Sequence, residues 1–162
     1  MAALVRPLQA SDRTGWDGLW AGYLAFYETD LPPSVTQGTW DRLLDPAEPM
    51  GALVAADGDG TLVGLCHHVF HRSTWSPTSY CYLEDLFVAP AHRGGGVARA
   101  LIEATAAAAV VAGSTKLYWQ THQGNATARG LYDRVAAHEG FIVYERDLPD
   151  AGSAAQDPLG RK

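Results

Sequence analysis

The chain has 162 residues, the size of one domain that buries roughly 70% of its unfolded surface without a disulfide or metal staple. Its composition, 47% hydrophobic and 19% charged, is that of an ordinary soluble globule. A formal net charge of −6 argues against general nucleic-acid binding, no apolar run approaches the ~18 residues of a membrane span, and no charged-then-apolar leader opens the sequence, so a cytoplasmic location is expected.

Leu4 to Leu8 reads as a short edge strand, because Pro7 cannot donate to a central ladder. Ser11 and Asp12 are candidate N-caps for a helix on which Trp16, Leu19, Trp20, Tyr23, Leu24 and Tyr27 share a face. Leu31-Pro32-Pro33 ends it, and Ser34 is placed to cap a second helix reaching Leu44. Ala52 to Ala56 predicts a strand, and Asp57-Gly58-Asp59-Gly60 a hairpin into the next strand, Leu62 to His71. A turn over Ser73 to Ser79 leads to a longer strand, Tyr80 to Val88. An Ala-rich helix from about Gly95 to Ala112 follows, closed by Gly113. Lys116 to Thr121 reads as a strand, Asn125 as the cap of another helix, and Phe141 to Asp147 as a last strand. The order is α+β, with one βαβ-like crossover and no internal repeat. Residues 1–148 are taken as one domain and 149–162 as a loose, small-residue tail.

The richest local signal is Arg93-Gly94-Gly95-Gly96-Val97, between the long strand and the Ala-rich helix. Without Cβ atoms, such a turn bares backbone N–H groups at a helix N-terminus, a ready site for a phosphate or pyrophosphate. A P-loop reading fails, since Val97 and Ala98 stand where Lys and Ser or Thr belong. A dinucleotide fingerprint fails because Arg99 occupies the third small position and the region near Lys116 offers no acid. Just upstream, Glu84 and Asp85 lie on the long strand. Strict alternation would put them on opposite faces, so only one is expected in a cleft unless a bulge intervenes.

The histidines invite a metal reading, but none is expected. His67 and His71 would share a strand face about 13 Å apart, and His68 would point away. Cys66 and Cys81 fall in strands flanking Trp75-Ser76-Pro77 and could face one another across a hairpin, or remain buried thiols.

The remaining pattern, Arg93-x-x-Gly96-x-Ala98, resembles the GCN5-related N-acetyltransferases, the GNAT superfamily. The run Leu83-Glu84-Asp85-Leu86-Phe87-Val88 is similar to the polyamine and thialysine branch. Thr121-His122-x-x-Asn125, Leu131-Tyr132-Asp133-Arg134-Val135-Ala136 and Gly140-Phe141 resemble a branch of yeast histone and D-amino-acid acetyltransferases. The resemblance runs from about Ala3 to Asp147. It implies the GNAT fold, a mixed, mainly antiparallel sheet of about six to seven strands flanked by about four helices.

It further implies acetyl-CoA as cosubstrate. The pyrophosphate would sit on the cradle from Arg93 through Gly94, Gly95, Gly96, Val97, Ala98 and Arg99. The pantetheine arm would run along the backbone of Leu86, Phe87 and Val88, with Asn125 as a contact or only a helix cap. Glu84 is the candidate base for the incoming amine, or a solvated strand residue; Asp85 could hold the sheet or a cation. Tyr132 is the candidate acid or hydrogen-bond donor for the departing thiolate, or a core aromatic. Tyr27, Glu28 and Asp30 belong to the segment that roofs the acceptor site in this fold, and His122 sits near it or holds a turn. The implied activity is transfer of an acetyl group to a primary amine of a small cationic amine, an amino acid or a peptide lysine. A CoA-binding module without catalysis is the alternative. A homodimer is possible, and no nucleic-acid or membrane partner is expected.

Overall fold

Why the chain folds as it does follows from where its apolar runs are broken by proline and glycine. A computed structural model describes residues 3–148; the tail read at 149–162 lies outside the described residues. Strand β1 (Leu4–Pro7) leads through a 3-10 turn into helix α1 (Arg13–Phe26), and Pro32-Pro33 separates α1 from α2 (Pro33–Leu44). Three antiparallel strands follow: β2 (Met50–Ala56), β3 (Leu62–Arg72) and β4 (Ser79–Val88). Helix α3 (Val97–Val111) then crosses over to β5 (Ser114–Tyr118), which runs parallel to β4, and α4 (Ala126–Val135) closes the regular structure.

The sheet has five strands in the order β1-β2-β3-β4-β5. That is fewer than expected, because Phe141 to Asp147 forms no strand. Its residues favour extended backbone, but a strand also needs an edge to pair with, and this segment is laid on none. Two cap readings change as well. The Asp12 carboxylate does not cap α1; it accepts two hydrogen bonds from Arg6, at 2.6 and 2.8 Å, and one from the Gln9 N–H. Ser34 lies inside α2, whose first turn starts at the proline pair.

Each face of the sheet has its own core. On one side α1 and α2 bring Trp16, Leu19, Trp20, Trp40 and Leu43 onto Ala52, Val54, Leu65 and Phe87. The indole of Trp16 stacks on Trp20 at 5.7 Å and tilts against Trp40 at 5.1 Å. On the other side Val97, Leu101 and Ile102 of α3 meet Leu53, Ala55, Cys66, Leu83 and Val88. Close approach of α3 depends on Gly64, where a Cβ would lie 3.1 Å from both Val97 and Leu101 and 3.2 Å from the Phe87 carbonyl. Cys66 and Cys81 are free, buried thiols that do not face each other, since Cys66 opposes Leu86 and Cys81 opposes Phe70. Among the described residues, no helix is long and apolar enough to cross a membrane.

His68 is buried with its Nδ1 unpartnered, and burial, helped by neighbouring His67, pushes it down to about 4. The unfolded chain, with His near ~6.5, therefore binds this proton more readily than the folded one, so stability falls as pH drops from about 6.5 toward 4. Urea unfolding between about pH 7 and about pH 4.5 should show a shallower loss in His68→Leu than in the parent chain; equal slopes would remove His68 as a cause.

Candidate active site

Pairing between β4 and β5 stops at Tyr82 and Tyr118. From Leu83 to Val88, β4 is paired only on its β3 side, so its other backbone edge opens into a cleft. At the mouth of that cleft the ladder slips. His68 opposes Leu83 and His67 opposes Asp85, which leaves Glu84 as an extra, bulged residue. The bulge turns Glu84 to the same side as Asp85, and both line one cavity of about 450 Å³. Strict alternation would have admitted only one of them, so the expectation of a single cleft carboxylate is corrected.

This cavity also holds Glu48, with Trp20, Leu31 and Met50 as apolar wall and Arg42 as its cation. Burial raises the Glu84 carboxyl above its ordinary value; the Asp85 charge pushes the same way and His67 partly opposes it. Asp85 is held from below. The Trp16 indole donates its N–H to His67 Nε2 at 2.9 Å, which places the imidazole proton on Nδ1, 2.9 Å from Asp85 Oδ2. Tyr23 closes the set: burial and the Asp85 charge raise its phenol well above the usual range. Nothing in the local sequence pattern ties His67 to Asp85, and the Trp16–His67 bond spans 51 positions; only an aromatic helix and a histidine on a core strand hint at it.

A second cavity, of about 400 Å³, is lined by Phe26, Tyr27, Glu28, His122, Gly124 and Asn125. The structure thus brings together four residues read as cofactor or acceptor contacts from opposite ends of the chain. Burial and the Asp85 charge together raise the Tyr27 phenol. Glu28 takes a left-handed backbone, φ 51°, at the turn ending α1. Asp30 is exposed and reaches neither cavity, so it does not join the site as expected. His122 uses Nδ1 to accept the Gly124 N–H at 3.0 Å, the turn-holding alternative, while still facing the cavity.

Asn125 caps α4, its Oδ1 accepting the Ala128 N–H at 3.4 Å. One turn on, Tyr132 is half-buried, edge-on to Trp119 at 5.4 Å. Burial, with a smaller push from Tyr27, raises its phenol above the ordinary tyrosine value. It holds its proton more firmly than a free tyrosine, which suits a hydrogen-bond donor better than a full proton donor.

The glycine turn is built to be open. Gly94 and Gly96 take φ of 78° and 85°, and a Cβ at either would meet nothing within 4 Å. Among the described residues the N–H groups from Gly94 through Gly95, Gly96, Val97 and Ala98 to Arg99 find no acceptor; Ala100 is the first to do so, bonding the Gly96 carbonyl at 3.0 Å. With the positive end of α3 behind them, they fit a diphosphate. The Arg93 side chain does something else. Its Nε donates to the Val88 carbonyl at 3.0 Å and its guanidinium covers Phe87 and Phe26. That bond removes the Val88 carbonyl from the open edge and leaves the Leu86 N–H and carbonyl and the Val88 N–H facing it, since the Phe87 groups point at β3.

Burial pushes the thiols of Cys66 and Cys81 up to about 12 and about 11. Neither is an available thiolate at neutral pH.

Residues 16–137 match the family described as Acetyltransferase (GNAT) family. The D-amino-acid N-acetyltransferase HPA3 of Saccharomyces cerevisiae is 32% identical over 89% of this chain and 90% of its own. Thialysine N-epsilon-acetyltransferase of Bos taurus is 32% identical over 58% of this chain and 50% of its own. Among solved structures, AAC(6')-Iy in complex with the bisubstrate analogue CoA-S-monomethyl-acetylneamine superposes with a TM-score of 0.79 at 18% identity, covering 92% of this chain and 100% of that one.

Proposed function

The chain belongs to the GNAT acetyltransferase family, whose enzymes use acetyl-CoA, and from that premise we propose that it acetylates the primary amine of a small cationic amine or an amino acid by direct attack in a ternary complex. The observation that carries the reading is the bulge at Glu84, which sets two carboxylates in one cavity beside the open edge of β4. An ammonium group suits a cavity with Glu48, Glu84 and Asp85, and a short alkyl stem suits Trp20, Leu31 and Met50. Arg42 offers a partner for a carboxylate, which is the feature favouring an amino acid.

Bound acetyl-CoA supplies the acetyl thioester. The free N–H groups from Gly94 to Arg99 hold its diphosphate, and the open backbone groups of Leu86 and Val88 align its arm along β4. Glu84 takes the proton that the amine must lose, since an alkylammonium near ~10 has no lone pair. Its raised carboxyl narrows the gap to that amine. Asp85 stays in place through His67 and attracts the cation. Tyr132 donates its hydroxyl hydrogen toward the departing sulfur. The firmly protonated thiols of Cys66 and Cys81 support direct transfer over an acyl-enzyme.

A panel of diamines, L- and D-amino acids and lysine peptides, read by CoA thiol release, tests the reading. Turnover with small amines or amino acids is expected; turnover confined to large peptides would overturn the acceptor class. In Tyr132→Phe, kcat should fall about 100-fold, the lower end for a positioned proton donor, with CoA affinity unchanged; an unaltered kcat would remove Tyr132 from the reaction. Gly96→Glu should weaken CoA binding by about ten- to thirtyfold in calorimetry, through charge at a helix N-terminus. Asp85→Asn removes a charge that raises Glu84, so the acidic limb of kcat/KM should move to lower pH. A limb that stays put would mean another base.

A further inference from the structure

Part of the sheet carries large aromatic side chains that neither core uses. Tyr80 and Tyr82 of β4 and Tyr118 of β5 are half-buried and belong to neither apolar cluster. Register sets them on the face of the acidic cavity, because residues directly opposite one another share a face. Tyr82 opposes Val69, which lines that cavity; Tyr80 opposes His71, and Tyr118 opposes Tyr82. The rings form one run. Tyr82 and Tyr118 lie 4.9 Å apart between centroids, and Tyr118 meets His71 edge-on at 5.7 Å and Tyr80 at 6.4 Å. Hydrogen bonds hold the run in shape. His71 donates from Nδ1 to the Arg72 carbonyl at 2.8 Å, which leaves Nε2 to accept the Tyr118 hydroxyl at 2.8 Å.

The two ends of this run carry opposite charge. At the near end stands Glu84: burial and then its charge push the Tyr82 phenol up to about 12, and the same two causes raise the Tyr118 phenol. At the far end the exposed Lys116 sets its ammonium 5.1 Å from the centre of the Tyr80 ring. From Glu84 back to Tyr82 is about 7 Å along the strand, at ~3.3 Å per residue, within reach of a ring joined to an amine by a short alkyl link. A flat ring placed there gains offset or edge contacts with Tyr82 and Tyr118 that a saturated ring of the same outline does not. A molecule with a second ammonium would carry it toward Lys116, a like charge.

We infer that this tyrosine face is the subsite that selects the acceptor, and that the acceptor it selects carries an aromatic ring a short alkyl link from its amine, as an arylalkylamine or an aromatic amino acid does, in preference to a polyamine. Tyr82 and Tyr118 receive the ring, while Lys116 turns away a distal cation. The inference rests on the acetyl-transfer reading for where the amine sits, beside Glu84 and Asp85.

Phenethylamine and cyclohexylethylamine have nearly the same outline and differ in their π-face. The parent chain should favour phenethylamine in kcat/KM by about three- to tenfold, through KM more than kcat. Tyr82→Leu and Tyr118→Leu should each shrink that ratio, and the double variant should bring it to about one; a ratio read within one preparation is insensitive to lost folded protein. Lys116→Glu should raise spermidine several-fold relative to phenethylamine. Calorimetry of the same amines on the CoA-loaded chain reads the subsite without turnover. A phenyl preference there, with no acetylation of any amine, would uphold the subsite and overturn the transfer reading. Equal affinity for the two rings overturns the inference, as does a preference that survives the double variant. Tyrosine variants that change sedimentation and leave the ratio alone would make the face a contact between chains and overturn it as well.

Discussion

One extra residue in one strand organises the candidate site. Without Glu84 as a bulge, β4 would continue its alternation, and the two carboxylates would be divided between the helical layers. The bulge sits just past the last β4–β5 pair, so the place where the carboxylates turn to one side is also where the sheet splits open. The acidic cavity and the open strand edge thereby meet at a single local departure from regular strand geometry. Bulges bend and twist the strand that carries them, so the divergence from β5 has a local cause.

Around that departure the protein spends its most rigid material. Three tryptophans, the most voluminous side chains available, fill the layer under the acidic cavity. Into this apolar wall the chain inserts His67, which would be expensive there unless both ring nitrogens were used. They are, one by an indole and one by a carboxylate. The result is a carboxylate whose position is inherited from the core and not from a mobile surface loop. Its neighbour Glu84 bears the charge repulsion that follows. By contrast the second cavity is made from chain turns, the end of α1 and the start of α4, where Glu28 holds a left-handed backbone.

Local signals made much of this legible. Proline pairs, the Asp-Gly hairpin, the glycine turn and an Asn cap each act over a few residues, and the elements they bound appear where they were expected. The turn glycines were readable because their backbone angles exclude other residues. What was not legible depends on pairing. Whether Glu84 bulges is decided by how β4 meets β3, a relation between segments that neither strand's own pattern encodes. His67 is one of three histidines on a single strand; its role comes from Trp16 on a distant helix. Phe141 to Asp147 shows the limit in the other direction, since strand-forming residues state a preference and not a partner. Asp30 was assigned to the site by proximity in sequence to Tyr27 and Glu28, and the turn after α1 leaves it outside both cavities.

Arg93 binds three parts of the molecule at one point. Its guanidinium rests on Phe26 at the end of α1 and on Phe87 in β4, while its Nε clamps the carbonyl where β4 ends. Against the same Phe87 ring, α1 comes so near at Gly22 that a methyl group there would stand 2.8 Å from it. The aromatic ring therefore sets the spacing between α1 and β4 at this point. A displacement of α1 at Phe26 would reach the start of the glycine turn through this one cation, so the two ends of the candidate site share a single mechanical joint.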